Sequence, residues 1–193
     1  MGAQSLPDTG VLSPSSLAHV VLRTNNYRLM VEFYINFLGG KIAYENEYLA
    51  FLTYDHEHHR IAILDVPNTT NKDKEACGLE HIAFSFDTLD DLVLSYQQRK
   101  KLGMLPVWCV NHGPTTSMYY EDPDGNQLET QVDNFETVED TDRFMRSKAF
   151  SENPIGVDFK PEDLVKRLEA KEDHRSIKQR PNTGPRSLDS IPG

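Results

Sequence analysis

The sequence predicts an α+β fold of two βαβββ modules, whose strands curl into one half-open barrel, followed by a C-terminal helical and partly disordered extension. Three observations predict it. A histidine-containing strand pattern recurs 62 residues later (81 − 19 = 62), both copies continue with the same element order, and the composition changes near Asn134. The chain therefore divides into a flexible leader over residues 1–14, a two-module domain over 15–133 and an extension over 134–193.

Each module opens with a short apolar strand that carries a histidine. Residues 17–22 read LAHVVL and residues 79–84 read LEHIAF, and both runs are rich in residues that favour strands. Apolar residues at helical spacing follow in each copy, and glycines end these helices at Gly39 and near Gly103. His19 and His81 therefore occupy equivalent positions in the repeat.

Three strand-like runs complete each module, so that the modules span residues 15–66 and 78–133. The runs lie at 41–45, 48–54 and 59–66 in the first copy, and at 107–111, 116–121 and 127–132 in the second. The basic run at 99–101 is expected to be the solvated end of the second helix. Trp108 could line a cleft for an aromatic ligand, but core packing is the favoured expectation.

The extension is sparse in apolar runs. One short helix is predicted at about residues 161–170, with Pro161 in its first turn. The Pro-, Gly- and Ser-rich end of the chain is expected to be poorly ordered unless it docks on the domain.

Charge and cysteine usage exclude several classes of partner. The chain has 20 Lys and Arg against 30 Asp and Glu, a net charge of −10, which disfavours nucleic acid and anionic membranes. No apolar run approaches the length of a membrane span, and the N-terminus lacks the pattern of a signal peptide. The two cysteines, Cys77 and Cys109, form no disulfide framework. We therefore expect a cytoplasmic protein with small-molecule partners.

His19, His81 and Glu129 form the predicted metal site. Imidazole is the commonest side-chain ligand of metals, and a carboxylate in a strand is costly to bury unless it is paired or binds a metal. Two histidines and one carboxylate on one face leave positions open for a substrate and O2, as in non-haem Fe(II) oxygenases. The same ligands also suit Mn²⁺ or Zn²⁺, and a hydrogen-bonded core histidine or a solvated glutamate is the structural alternative at each position.

The segment 110–129, VNHGPTTSMYYEDPDGNQLE, resembles the signature of the type I extradiol ring-cleavage dioxygenases. These enzymes belong to the vicinal oxygen chelate superfamily, also known as the glyoxalase–bleomycin resistance superfamily. The signature positions are His112, Tyr119, Asp122, Pro123, Gly125 and Glu129. The resemblance implies a vicinal oxygen chelate-like cup that holds Fe(II), with Mn(II) as the alternative. It also implies that His112 and Tyr119 contact the hydroxyls of a catecholic substrate.

The resemblance further implies an acid–base histidine at the start of a strand, and His59 takes that position. His56 and His58 are adjacent alternatives. On this basis the protein is predicted to be an Fe(II)-dependent extradiol dioxygenase of aromatic compound catabolism. Its partners would be an aromatic diol and O2, with no nucleic acid and no membrane, and we expect a homo-oligomer.

Two other functions stay open at this point. One is another metalloenzyme of the same superfamily, a lyase or a thiol transferase. A lyase would need a further ligand in the first module at the position that matches Glu129, where residues 61–64 are all apolar. The other is a non-catalytic protein that binds an aromatic ligand or confers resistance, and a metal assay distinguishes it.

Overall fold

The computed structural model describes residues 10–191 and confirms the βαβββ order of both modules. The first module contains β1 (Val20–Thr24), α1 (Tyr27–Leu38), β2 (Lys41–Glu45), β3 (Leu49–Thr53) and β4 (Ile61–Asp65). The second contains β5 (His81–Ser85), α2 (Leu89–Lys101), β6 (Trp108–Asn111), β7 (Thr115–Glu121) and β8 (Gln127–Asp133). Residues 1–9 of the predicted flexible leader lie outside the described residues, and residues 10–14 are exposed and form no helix or strand.

The strands form two sheets of four and five strands. The first has the order β1-β4-β3-β2, and the second has the order β5-β8-β7-β6-β9, where β9 (Val157–Asp158) comes from the extension. In each module the first and last strands pair in parallel, with Val21 opposite Ala62 in one and Ala83 opposite Glu129 in the other. Ala62 is therefore the structural counterpart of Glu129.

Both sheets direct one face toward a common core that also contains α1 and α2. Side chains of the two sheets in this core include Ala50, Leu52, Ile61, Ile63, Met118, Tyr120, Leu128 and Val132. Phe37 of α1 links the modules, because its ring lies 6.3 Å from that of Phe84 and 5.1 Å from that of Tyr120. The modules are thus held together through the helical side of each sheet.

Arg99 of α2 also joins the modules, which corrects the expectation of a solvated position. Its side chain is buried and donates hydrogen bonds of 2.9 and 2.6 Å to the carbonyl of Phe37, over whose ring the guanidinium lies. The last carbonyls of a helix have no hydrogen-bond partner within the helix. The carbonyl of Phe37, near the end of α1, therefore accepts the hydrogen bonds that the buried guanidinium of Arg99 must donate. Its neighbour Lys100 is exposed, as expected, and pairs with Glu162.

The other face of each sheet points away from the common core. Successive side chains of a strand point to opposite faces, so the neighbours of core residues lie outward. Phe51 lies between the core residues of β3, and Tyr119 and Glu129 alternate with those of β7 and β8. We call these surfaces the first outer face and the second outer face.

The extension is docked along the second module. It contains α3 (Val138–Met145), α4 (Lys148–Glu152), α5 (Pro161–Glu169) and α6 (His174–Lys178), of which only α5 was predicted. Arg180 fastens it by donating to the carbonyls of His112, Asn153 and Ala149. None of the described helices has the length and apolar character needed to cross a bilayer.

Candidate active site

Five polar and aromatic side chains form a cluster on the second outer face. Three of them form a row across β6, β7 and β8. Trp108 lies opposite Tyr119, and Tyr119 lies opposite Glu129. His81 begins β5 beside Glu129, and His112 directly follows β6. We call these five residues the second-sheet cluster.

His81 and Glu129 form a close pair, with 3.0 Å between Nε2 and Oε2. Burial alone would raise the pKa of the Glu129 carboxyl, but hydrogen bonds from His81 and Ser117 outweigh burial and lower it. The hydrogen bond with Glu129 in turn raises the pKa of His81. The pair therefore favours a carboxylate whose charge is offset by a cation, in a position where Glu129 is only 4% exposed.

His112 and Tyr119 form a second pair, with 3.0 Å between Nε2 and the phenolic oxygen. The Nδ1 atom of His112 meets the carbonyl of Ile155, which only accepts, so Nδ1 carries the proton. Burial lowers the pKa of His112 and raises the pKa of Tyr119, so both are neutral near pH 7. The unprotonated Nε2 therefore accepts a hydrogen bond from the hydroxyl of Tyr119. The phenolic oxygen can still accept a hydrogen bond from another group.

Trp108 contributes an aromatic wall rather than a core side chain, which corrects the expectation for it. Its ring stacks on Tyr119 with 4.9 Å between centroids, and its Nε1 donates to Asp158 of β9 at 2.8 Å. The extension thus fixes the orientation of the indole. Together with Ile155 and Arg180, Asp158 is a supporting residue that lies far from the motif in sequence, and no local pattern indicated it.

His59 is the center of a separate cluster on the first outer face. Its ring stacks on Phe51 at 4.3 Å with 13° between the planes, and it lies 4.3 Å from the ring of His19. His59 is 9% exposed, whereas His56 and His58 are exposed, so burial distinguishes it from both alternatives. Burial also lowers the pKa of His59. We call His19, Phe51 and His59 the first-sheet cluster.

His19 lies just before β1 and is exposed, whereas the sequence placed it in the middle of a strand. The reason is Arg60, whose Nη1 donates to the carbonyls of Leu17 and Ala18 at 2.7 and 3.1 Å. These carbonyls are satisfied by a side chain instead of a strand partner, so β-pairing starts only at Val20. His81, by contrast, is part of β5 as predicted.

The two clusters do not meet within one chain. Among residues 10–191, no group of three or more His, Cys, Asp or Glu side chains is arranged to hold a metal ion. The structure thus brings His81 to Glu129 but not His19 to either of them. His19 lies at a cavity that is also lined by Ile82, Ala83 and Phe84 of β5.

Comparison with known proteins identifies the family of this chain. The family model described as the Glyoxalase/Bleomycin resistance protein/Dioxygenase superfamily matches residues 16–130. Biphenyl-2,3-diol 1,2-dioxygenase 2 of Rhodococcus globerulus is 41% identical over 154 residues, which cover 79% of this chain and 81% of the relative. Biphenyl-2,3-diol 1,2-dioxygenase 3 of the same organism is 42% identical over 156 residues, or 80% and 82% of the two chains.

The fold is also similar to solved structures. A glyoxylase/bleomycin resistance protein/dioxygenase domain from Frankia sp. EAN1pec superposes with a TM-score of 0.53 at 19% identity, covering 63% of this chain and 99% of that one. At this identity the match concerns the fold alone. It confirms the predicted fold class.

Proposed function

Because this chain belongs to the glyoxalase/bleomycin resistance protein/dioxygenase superfamily, we propose that it is an extradiol dioxygenase. It opens an aromatic ring beside two vicinal hydroxyls and incorporates both atoms of O2. The predicted family resemblance is confirmed by the match over residues 16–130. The observation that carries the proposal is the His112–Tyr119 pair next to the His81–Glu129 pair on one sheet face.

The metal of the proposed site is Fe(II), with Mn(II) as the alternative. Its chemistry is to bring a diol and O2 together, which react poorly unaided. His81 and Glu129 fit this role, since an imidazole nitrogen and a carboxylate oxygen converge to 3.0 Å on an outer face. His19, the third predicted donor, is not at this position in the same chain.

The second-sheet cluster is suited to hold the diol. With its proton engaged by His112, the phenolic oxygen of Tyr119 accepts a hydrogen bond from a substrate hydroxyl. His112 can take up a proton at Nε2 while Ile155 holds its Nδ1–H in place. The stacked rings of Trp108 and Tyr119 provide an apolar wall for an aromatic substrate. His59 is the proposed acid–base group on the O2 side.

Vicinal aromatic diols are the proposed substrate class. The two relatives that cover four-fifths of this chain are named for biphenyl-2,3-diol, which is therefore the first compound to test. The free state of Cys77 and Cys109 supports the proposed cytoplasmic location, since disulfides are rare in reducing compartments.

A lyase of the same superfamily is the second candidate, and Ala62 disfavours it. Ala62 occupies in the first module the place that Glu129 occupies in the second. A lyase would need a metal ligand at this place, and the methyl group of alanine cannot bind a metal. The flanking Ile61 and Ile63 are buried in the core and offer no donor either.

Oxygen consumption tests the proposed function. The protein is loaded with Fe(II) or Mn(II) without O2, and O2 uptake and near-UV absorbance are then followed with biphenyl-2,3-diol and other vicinal diols. We expect one O2 consumed for each diol, and none with isomers whose two hydroxyls are not adjacent. A loaded protein that consumes no O2 with any vicinal diol, yet isomerises a glutathione hemithioacetal, would be a lyase instead.

A further inference from the structure

We propose that Arg186 is a positioning residue of the active site, which acts through Asp158 to hold Trp108 as a wall for the substituents of the substrate. The inference rests on the proposed function, because it concerns which vicinal diols the same site binds. Both Arg186 and Asp158 belong to the extension and lie outside the family match over residues 16–130.

The first argument is the place of Trp108 on the second outer face. Trp108 on β6 lies two strands from Glu129 on β8, with Tyr119 of β7 between them. Neighbouring strands are about 4.8 Å apart, so the backbones of Trp108 and Glu129 are about 10 Å from each other. A diol whose hydroxyls lie beside Glu129 and Tyr119 therefore reaches Trp108 with its substituents rather than with its hydroxyls.

The second argument is that the extension holds the indole from the edge of the sheet. β9 pairs with β6, and Asp158 lies opposite Val110, which places it diagonally beside Trp108 on the same face. The Oδ1 atom of Asp158 accepts a hydrogen bond from Nε1 of Trp108 at 2.8 Å. This bond fixes one edge of the indole, while the face of the ring stacks on Tyr119 with 27° between the planes.

The third argument is the environment of Arg186. All five N–H groups of its guanidinium have acceptors, and two of them form a bidentate pair with Asp158 at 2.6 and 3.0 Å. The other three donate to the carbonyl of Gly156 and to the hydroxyl and carbonyl of Ser190. The side chain of Arg186 is only 15% exposed, so solvent screens this ion pair less than an ordinary surface pair.

Arg186 therefore supports Trp108 in two ways. It fixes the carboxylate that accepts from the indole, and its guanidinium carbon lies 5.8 Å from the centroid of the indole ring, within the range of a cation–π contact. The side chain of Asp158 is 52% exposed, so without Arg186 this carboxylate is free to turn toward solvent. The end of the chain, which the sequence predicts to be poorly ordered unless it docks, thus docks at the wall of the site.

Fluorescence tests this contact independently of activity, because Trp108 is the only tryptophan of the chain. In Arg186→Ala we expect emission at longer wavelength and faster quenching by acrylamide, since the indole loses support and becomes more accessible to solvent. Arg186→Lys keeps the charge but loses the bidentate contact with Asp158, so its emission should lie between those of Arg186→Ala and wild type. Unchanged emission and quenching in Arg186→Ala would overturn the proposal.

Arg167→Ala is the matched control. Arg167 lies in α5 of the same extension and forms a bidentate pair with Glu172 at 2.7 and 2.5 Å. Its loss should loosen the extension but leave the emission of Trp108 unchanged. Equal changes in emission for Arg167→Ala and Arg186→Ala would refute a specific role for Arg186. Thermal unfolding shows whether each variant is folded, and Arg186→Lys carries the test if Arg186→Ala is not.

The kinetic prediction concerns the choice of diol. In the metal-loaded protein, Arg186→Ala should raise KM for biphenyl-2,3-diol about 2- to 10-fold, as expected for a weakened aromatic contact, and change kcat by less than about twofold. The KM for benzene-1,2-diol should change less, because this diol has no substituent to reach Trp108. Equal changes for both diols, or a loss confined to kcat, would contradict selection of substituents by Trp108.

A double variant shows whether Arg186 acts through Asp158. Asp158→Asn keeps the size of the side chain but removes the charge that pairs with Arg186. Combining it with Arg186→Ala should therefore add little to the change in emission caused by Arg186→Ala alone, and fully additive changes would overturn the proposed route. If the emission changes as expected but no metal-loaded protein consumes a vicinal diol, the proposed function fails while the positioning of Trp108 by Arg186 stands.

Discussion

Replacing Tyr119 by phenylalanine tests the substrate side of the site with a change of one atom. The phenol donates to Nε2 of His112 at 3.0 Å in a buried position, so Tyr119→Phe leaves that nitrogen without a donor and the substrate without an acceptor. An unmade hydrogen bond of this kind costs about 1–3 kcal/mol. At about 1.4 kcal/mol for each factor of ten, kcat/KM should fall about 5- to 150-fold.

The adjacent Tyr120 provides a matched control. It lies on the opposite face of β7 and packs in the core, where its hydroxyl donates to the sulfur of Met118 at 4.0 Å and its ring lies near the guanidinium of Arg99. Tyr120→Phe should change kcat/KM by less than about twofold, because it removes no hydrogen bond of the site. Steady-state O2 uptake with a vicinal diol measures both variants, and metal content and thermal unfolding show that both are folded. Equal effects of the two substitutions would refute a role for Tyr119 in substrate binding.

Four further outcomes are expected. His59→Phe should keep its metal but slow ring opening by about 10²–10⁴-fold in single-turnover measurements, whereas His58→Phe should be milder, and the reverse order would move the acid–base role to His58. Glu129→Ala should lose most of its bound metal by elemental analysis, and full occupancy would contradict the ligand assignment. Gly156→Ala should destabilise the fold by about 1–3 kcal/mol in denaturant titrations, because Gly156 has φ of +114° and a Cβ there would lie 2.3 Å from the carbonyl oxygen of Asn111; an unchanged midpoint would refute the strain. Arg180→Ala should cost about 1.5–3 kcal/mol and increase hydrogen exchange in α4, and unchanged exchange would show that other contacts hold the extension.

The element order of both modules could be predicted because it depends on local patterns. Apolar spacing defined α1 and α2, and β2 has the predicted bounds. The extension was harder, since β9 has two residues and α3 buries none. A signal for α3 was nevertheless present, because Thr137 caps it by accepting from the backbone of Asp140. The start of β1 was missed because it depends on Arg60, which is distant in sequence.

The sequence predicted which site residues share a face of one sheet, but it did not determine how the faces of the two sheets are placed relative to each other. Alternation along strands places Tyr119 and Glu129 on one face, and the structure agrees. A repeat indicates which residues are equivalent, but it does not determine which faces of the two modules come together. That choice depends on long-range contacts such as those of Phe37 and Arg99, whose partners lie in the other module. The meeting of His19 with His81 therefore stays a prediction.

Asp122 belongs to the motif that indicates the family, but its contacts show a role in the stability of the fold. Its buried carboxylate accepts hydrogen bonds from the hydroxyl of Tyr34 in α1, from the backbone and side chain of Asn126 and from the backbone of Asp124. It thus fastens the turn after β7 to a helix of the other module and contacts no residue of the second-sheet cluster. In a mutational scan read only by turnover, Asp122 would rank beside Tyr119. A parallel measurement of protein abundance would separate them. Variants of Asp122 should be degraded and present at low abundance, whereas variants of Tyr119 should be present at normal abundance but have low activity.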